Sequence, residues 1–98
     1  MIRYSVQLRG PTNITIAADD DVDTAPRVDD YIMLFDSVTT TVRSVTFAPT
    51  MDPHVYVDGV SIQCFKMEEL QYILRKAVDE GWSFSDPKGY EILARSPK

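Results

Sequence analysis

Ninety-eight residues, 44% of them apolar and 26% charged, suit one globular domain with one core and leave no room for a second. The formal charge of −5 belongs wholly to residues 1–65, where nine acids face four bases, whereas residues 66–98 hold six of each. No apolar run nears the roughly 18 residues of a membrane span, and an acidic chain without a basic stripe repels phosphate backbones, which argues against nucleic-acid binding.

In chain order, Ile2, Tyr4, Val6 and Leu8 alternate with Arg3, Ser5, Gln7 and Arg9, the period of a half-buried strand. Gly10-Pro11-Thr12-Asn13 is turn chemistry, and Ile14-Thr15-Ile16 begins a returning strand that fades at Ala17-Ala18. An acidic segment, residues 19–30, leads into a strand at Tyr31-Ile32-Met33-Leu34-Phe35. Asp36-Ser37 is the expected turn into a Thr- and Val-rich strand from Thr39 to Phe47. Pro49 and Pro53 mark a loop. Asp58-Gly59, between alternating apolar residues, predicts a two-residue hairpin over Val55 to Ile62.

The period then changes. Met67, Leu70, Ile73, Leu74, Ala77 and Val78 recur at three and four residues, the stripe of an amphipathic helix. Glu68 and Glu69 start it, Arg75 and Lys76 lie near its end, and Gly81 stands where a C-terminal cap belongs. Asp86-Pro87-Lys88-Gly89 suggests a turn, and Tyr90 to Arg95 a last strand. This order predicts an α+β fold in a single domain, residues 1–98. A curved antiparallel sheet of five or six strands packs on one amphipathic helix near the C-terminus. A partly open small barrel plugged by the helix is the alternative.

The chain offers little catalytic chemistry. The predicted hairpin puts Val55, Val57, Val60, Ile62 and Cys64 on one apolar face and His54, Tyr56, Ser61 and Gln63 on the other. Cys64 and His54 therefore diverge, which removes the one candidate Cys–His dyad. His54 has no second His or Cys at ligand spacing. The four glycines are scattered, so no phosphate loop is formed. Glu68, Glu69 and Glu91 read as exposed acids. These observations predict a non-enzymatic protein without a cofactor. One cysteine and no signal peptide point to the cytoplasm.

The stretch DDDVDTAPRVDD at residues 19–30 is the remaining candidate. Asp19, Asp21, Asp23 and Asp30 fall at positions 1, 3, 5 and 12 of a calcium-loop frame. Thr24, however, replaces the glycine that such a turn needs, and the flanks read as strands. No metal is therefore expected. Asp19, Asp20, Asp21, Asp23, Asp29 and Asp30 are read instead as an acidic patch that meets a partner protein with a basic surface. Two further readings stand beside it. One is a ligand or catalytic pocket between sheet and helix, lined by Tyr31, Tyr56, Trp82, Phe84 and Tyr90. The other is a viral or mobile-element inhibitor acting by acidic mimicry. Edge strands would allow homo-oligomers.

Overall fold

The computed structural model describes residues 1–21, 24–35, 38–84 and 86–94. Seven strands and two helices follow one another as β1 (Ile2–Arg9), β2 (Ile14–Asp20), β3 (Tyr31–Phe35), β4 (Val38–Phe47), β5 (Val55–Gly59), β6 (Ile62–Gln63), α1 (Met67–Asp79), β7 (Ser83–Phe84) and α2 (Lys88–Ala94). The strands form one curved, half-barrel sheet in the order β3-β4-β5-β1-β2-β7, with β6 beside β1. The α+β expectation holds, with one helix more than the sequence suggested.

The alternation in β1 turns Ile2, Val6 and Leu8 inward, where at most 2% of each is exposed. Strand β2 returns antiparallel with Val6 opposite Ile16 and Leu8 opposite Ile14. It does not fade at Ala17 but runs on to Asp20, so the first two acids of the acidic stretch are strand residues. The Asp36-Ser37 turn lies outside the described residues.

The expected Asp58-Gly59 hairpin is not formed. The chain passes straight through it, and β5 and β6 both run parallel to β1 along one side. Ile2 faces Val55 and Ser5 faces Asp58; farther along, Leu8 faces Ile62 and Arg9 faces Gln63. Gly59 is required here by close packing. A Cβ on it would lie 2.9 Å from both Thr40 Cγ2 and Val6 Cγ2. Between β5 and β6 the pairing offset to β1 rises from 53 to 54 residues. That extra residue turns Val60 outward, to 43% exposure, while Cys64 stays fully buried. The Val60 N–H donates to the Thr41 carbonyl at 2.8 Å, and the Thr40 hydroxyl donates to the Val60 carbonyl at 2.6 Å. The backbone is thus satisfied without a turn.

Helix α1 buries Leu70, Leu74 and Ala77 and keeps Glu68 and Glu69 in its first turn. Only Val78 of the expected stripe faces outward. The helix ends as its sequence implies. Gly81 takes a φ of 90°, its N–H donates to Val78, and the Trp82 N–H donates to Ala77 at 2.8 Å. This double bond is the Schellman arrangement, which needs glycine at that position.

The expected last strand, Tyr90 to Arg95, is helical over its described part. The turn-like Asp86-Pro87 is in fact a helix start. The Asp86 carboxylate accepts the Lys88 N–H at 2.9 Å, and proline suits the first helical position because its missing donor is not needed there. Gly89 presses on Phe84, whose ring lies 2.5 Å from where a Cβ would stand.

Two apolar clusters result. The larger joins Val6, Leu8, Ile14 and Ile16 to Leu70, Leu74, Phe84 and Ile92 beneath the helices. The smaller gathers Ile2, Val42 and Val57, with Tyr4, Ile32 and Ala25 against it. Strand β1 contributes to both.

Candidate functional site: a cleft between two strand edges

The acidic stretch does not converge on a point. Asp19 points from β2 to the outer face of the sheet, directly across from Arg3. Two contacts join them, Nε to Oδ1 at 2.7 Å and Nη2 to Oδ2 at 3.1 Å. The guanidinium holds the Asp19 carboxyl below its ordinary range. Arg3 also lies 6.0 Å from the centre of the Tyr56 ring, so Tyr56, Arg3 and Asp19 form one rung across β5, β1 and β2.

Asp30 has a local task. Its carboxylate accepts the Arg27 N–H at 2.8 Å, while its own N–H donates to the Arg27 carbonyl at 3.0 Å. Asp29 occupies the third position of this turn with a φ of 76°, a region Asp tolerates better than most residues. The Asp29 N–H donates to the Val42 carbonyl, and the Val42 N–H to the Asp30 carbonyl, which fastens the turn to β4. Asp20 and Asp21 are exposed. Asp23 lies outside the described residues. Among the described residues, no three His, Cys, Asp or Glu side chains converge as metal ligands would. The six acids of the expected patch thus separate into an ion-paired residue, two turn residues and the exposed pair Asp20 and Asp21, with Asp23 not described.

Cys64 and His54 are held apart by topology. His54 precedes Val55, which faces Ile2, and Cys64 follows Gln63, which faces Arg9. The length of β1 therefore lies between them, roughly 20 Å at the rise of a strand. Burial pushes the Cys64 thiol up, and the Glu69 charge adds to this. His54 is exposed beside Phe47 and Pro49.

The aromatic residues Tyr31, Tyr56, Trp82, Phe84 and Tyr90 do not line a common pocket. Phe84 and Tyr90 pack together at 4.6 Å, Tyr56 lies under Arg3, and Tyr31 is 83% exposed. Trp82 is placed differently. It follows the α1 cap, meets Phe35 edge-on at 6.2 Å, and helps line a cleft of about 260 Å³ with Tyr4, Ala18, Asp19, Asp20, Ile32, Met33 and Leu34.

This cleft separates two sheet edges. β3 ends the sheet on one side. On the other, β7 pairs with β2 only at Ile16 and Ala17, so among the described residues β2 has no strand neighbour on that side at Ala18, Asp19 and Asp20. Tyr4 and Trp82 give the cleft apolar surface, and Met33 at its side is 71% exposed. Burial, followed by the charge of Asp20, pushes the Tyr4 hydroxyl pKa up. Tyr4 therefore stays neutral near neutral pH, and the charge at the rim is that of the acids.

A larger depression, about 620 Å³, opens on the outer face between Arg3, Ser5, Ala17, Asp19 and Ser83. Its two charged groups already satisfy each other, and the rest of its lining is Ser, Thr, Ala and Gly together with Phe84. The smaller cleft offers more to a partner, because it combines apolar surface, acids and unpaired strand edges.

Sequence reasoning found Asp19 and Asp20 but missed Tyr4, Ile32, Met33 and Leu34. In sequence these four belong to ordinary strands, and only the strand order makes β3 an edge. Comparison with family models, with characterised proteins and with solved structures finds no match for this chain.

Proposed function

We propose that this protein is a non-enzymatic interaction module that takes a basic, partly apolar segment of a partner protein into the cleft between β2 and β3. The observation that carries this reading is the cleft itself, in which Tyr4 and Trp82 lie beside Asp20 between two unpaired edges. Asp20 and Asp21 make no ion pair among the described residues, so a cation brought to them gains an attraction that no internal base supplies. Asp19 and Asp30 are engaged inside the molecule. This favours a segment bound at one rim over broad acidic mimicry, which would draw on all of the acids.

Trp82 is the sole tryptophan and reports on the cleft. A peptide alternating lysine and valine should shift its fluorescence saturably. Binding should weaken between ~0.05 M and ~0.5 M sodium chloride as screening shortens the reach of the acids. The matching glutamate–valine peptide should leave the emission unchanged. Equal responses to both peptides, or none to either, would overturn the reading.

A further inference from the structure

We propose that the partner segment enters the cleft as a β-strand, pairing its main chain with β2 on one side and β3 on the other. This deepens the cleft reading and rests on it. Three observations lead there. The edges of β2 and β3 line one cleft yet do not pair with each other. In a sheet, neighbouring strands stand about 4.7–4.9 Å apart, so a strand that joins both edges needs about twice that separation between them.

Next, β7 already shows the arrangement. It lies antiparallel on the outer edge of β2, with Phe84 opposite Ile16 and Ser83 opposite Ala17. The chain leaves that row at Trp82 to join the α1 cap. The adjoining β2 residues, Ala18 to Asp20, present the same edge beside the cleft. A partner strand in the cleft continues the row that β7 begins.

Finally, side chains on the two sides suit an alternating segment. Ala18 follows Ile16 on the inner face, toward Tyr4 and Trp82, whereas Asp19 turns outward. Alternate apolar residues of the partner cover Tyr4, Ala18 and Trp82, and a lysine or arginine at the end of the segment reaches the exposed Asp20 and Asp21 at the rim. Main-chain pairing supplies affinity and side-chain alternation supplies selectivity, as in other strand-addition complexes. The half-barrel closes, and the exposed edge that would favour self-association is capped.

The test compares the lysine–valine peptide with the same peptide carrying N-methyl groups on alternate amides. Methylation keeps every side chain and charge but removes the donors of one edge. Trp82 fluorescence and amide hydrogen exchange at Ala18, Asp20, Ile32, Met33 and Leu34 are read in both cases. The unmodified peptide should slow exchange at those of these amides that point to the free edges, alternate residues in each strand, and leave those bonded to β1 and β4 unchanged. The methylated one should bind at least about tenfold more weakly, the scale of losing two or more hydrogen bonds. Equal binding of the two would overturn strand addition while leaving the acidic cleft as a side-chain site. Binding of neither would remove both readings. A dimer formed through β3 that the peptide does not displace would also overturn the proposal.

Discussion

The two ends of β1 lie in different surroundings. Val6 and Leu8 are sealed under α1 and α2 with Leu70, Leu74 and Ile92. Ile2 and Tyr4 belong to the end with the smaller cluster and the cleft, whose described lining comes from β1, β2, β3 and Trp82 rather than from a helix. At the closed end, side chains hold the domain together. At the open end, apolar groups such as Met33 and Tyr31 stand largely exposed, and the fold does not depend on them. Core and proposed binding surface therefore divide along one strand.

The largest effects belong to the closed end. Leu70→Ala or Leu74→Ala should cost about 2–5 kcal/mol by chemical denaturation, the range for a buried leucine whose cavity persists. Glu68→Ala, an exposed first-turn acid, should cost less than about 1 kcal/mol. Leucine changes as mild as the glutamate one would show that α1 does not seal that end.

Gly59 packs against Val6 on one side and Thr40 on the other. Gly59→Ala should destabilise by about 1–3 kcal/mol, the cost of overpacking, and Gly59→Asn by more. A hairpin glycine at positive φ would behave the other way round, because Asn tolerates that region better than Ala. An Asn variant more stable than the Ala variant would return Asp58-Gly59 to a turn.

Cys64 measures how tightly the closed end excludes water. Thiol reagent should label the native protein slowly and the denatured protein quickly. Its native thiol pKa is raised by burial and then by Glu69. The stability this thiol confers is therefore full below the ordinary thiol pKa and declines as pH climbs through that value toward the raised native one. Denaturation followed across the alkaline range should show that decline, and Cys64→Ala should reduce it. Rapid stoichiometric labelling of the folded chain would contradict the burial.

The smallest stability effects belong to the open end. Met33→Ser should change stability by no more than about 0.5 kcal/mol, as exposed substitutions do, while weakening the lysine–valine peptide. A large stability loss would move Met33 from the binding surface into the core.

How much of this was legible in the sequence follows the range of the interactions involved. The α1 stripe and the Gly81 cap depend on residues within a turn or two, and both are found as read except that Val78 faces outward. Strand β1 is equally local. The parallel neighbours β5 and β6 lie more than fifty residues from β1, and no short-range pattern distinguishes them from a hairpin. Asp58-Gly59 mislead because glycine serves close packing as well as positive φ. Asp86-Pro87 mislead because a cap and a turn use the same residues, and the seven described residues of α2 are too few for a full apolar stripe. The acids at 19–30 were visible as composition. Their separate tasks depend on Arg3, Arg27 and Val42, partners that composition cannot assign.

The most direct test of the cleft reverses its charge. Asp20→Lys with Asp21→Lys alters two exposed rim residues and leaves the Arg3–Asp19 pair and both cores in place. Trp82 fluorescence titrations of this double variant with the lysine–valine and glutamate–valine peptides should show the preference inverted, with glutamate–valine bound and lysine–valine lost. An unchanged preference for the lysine–valine peptide, in a variant as stable as the parent, would place the binding surface elsewhere on the molecule.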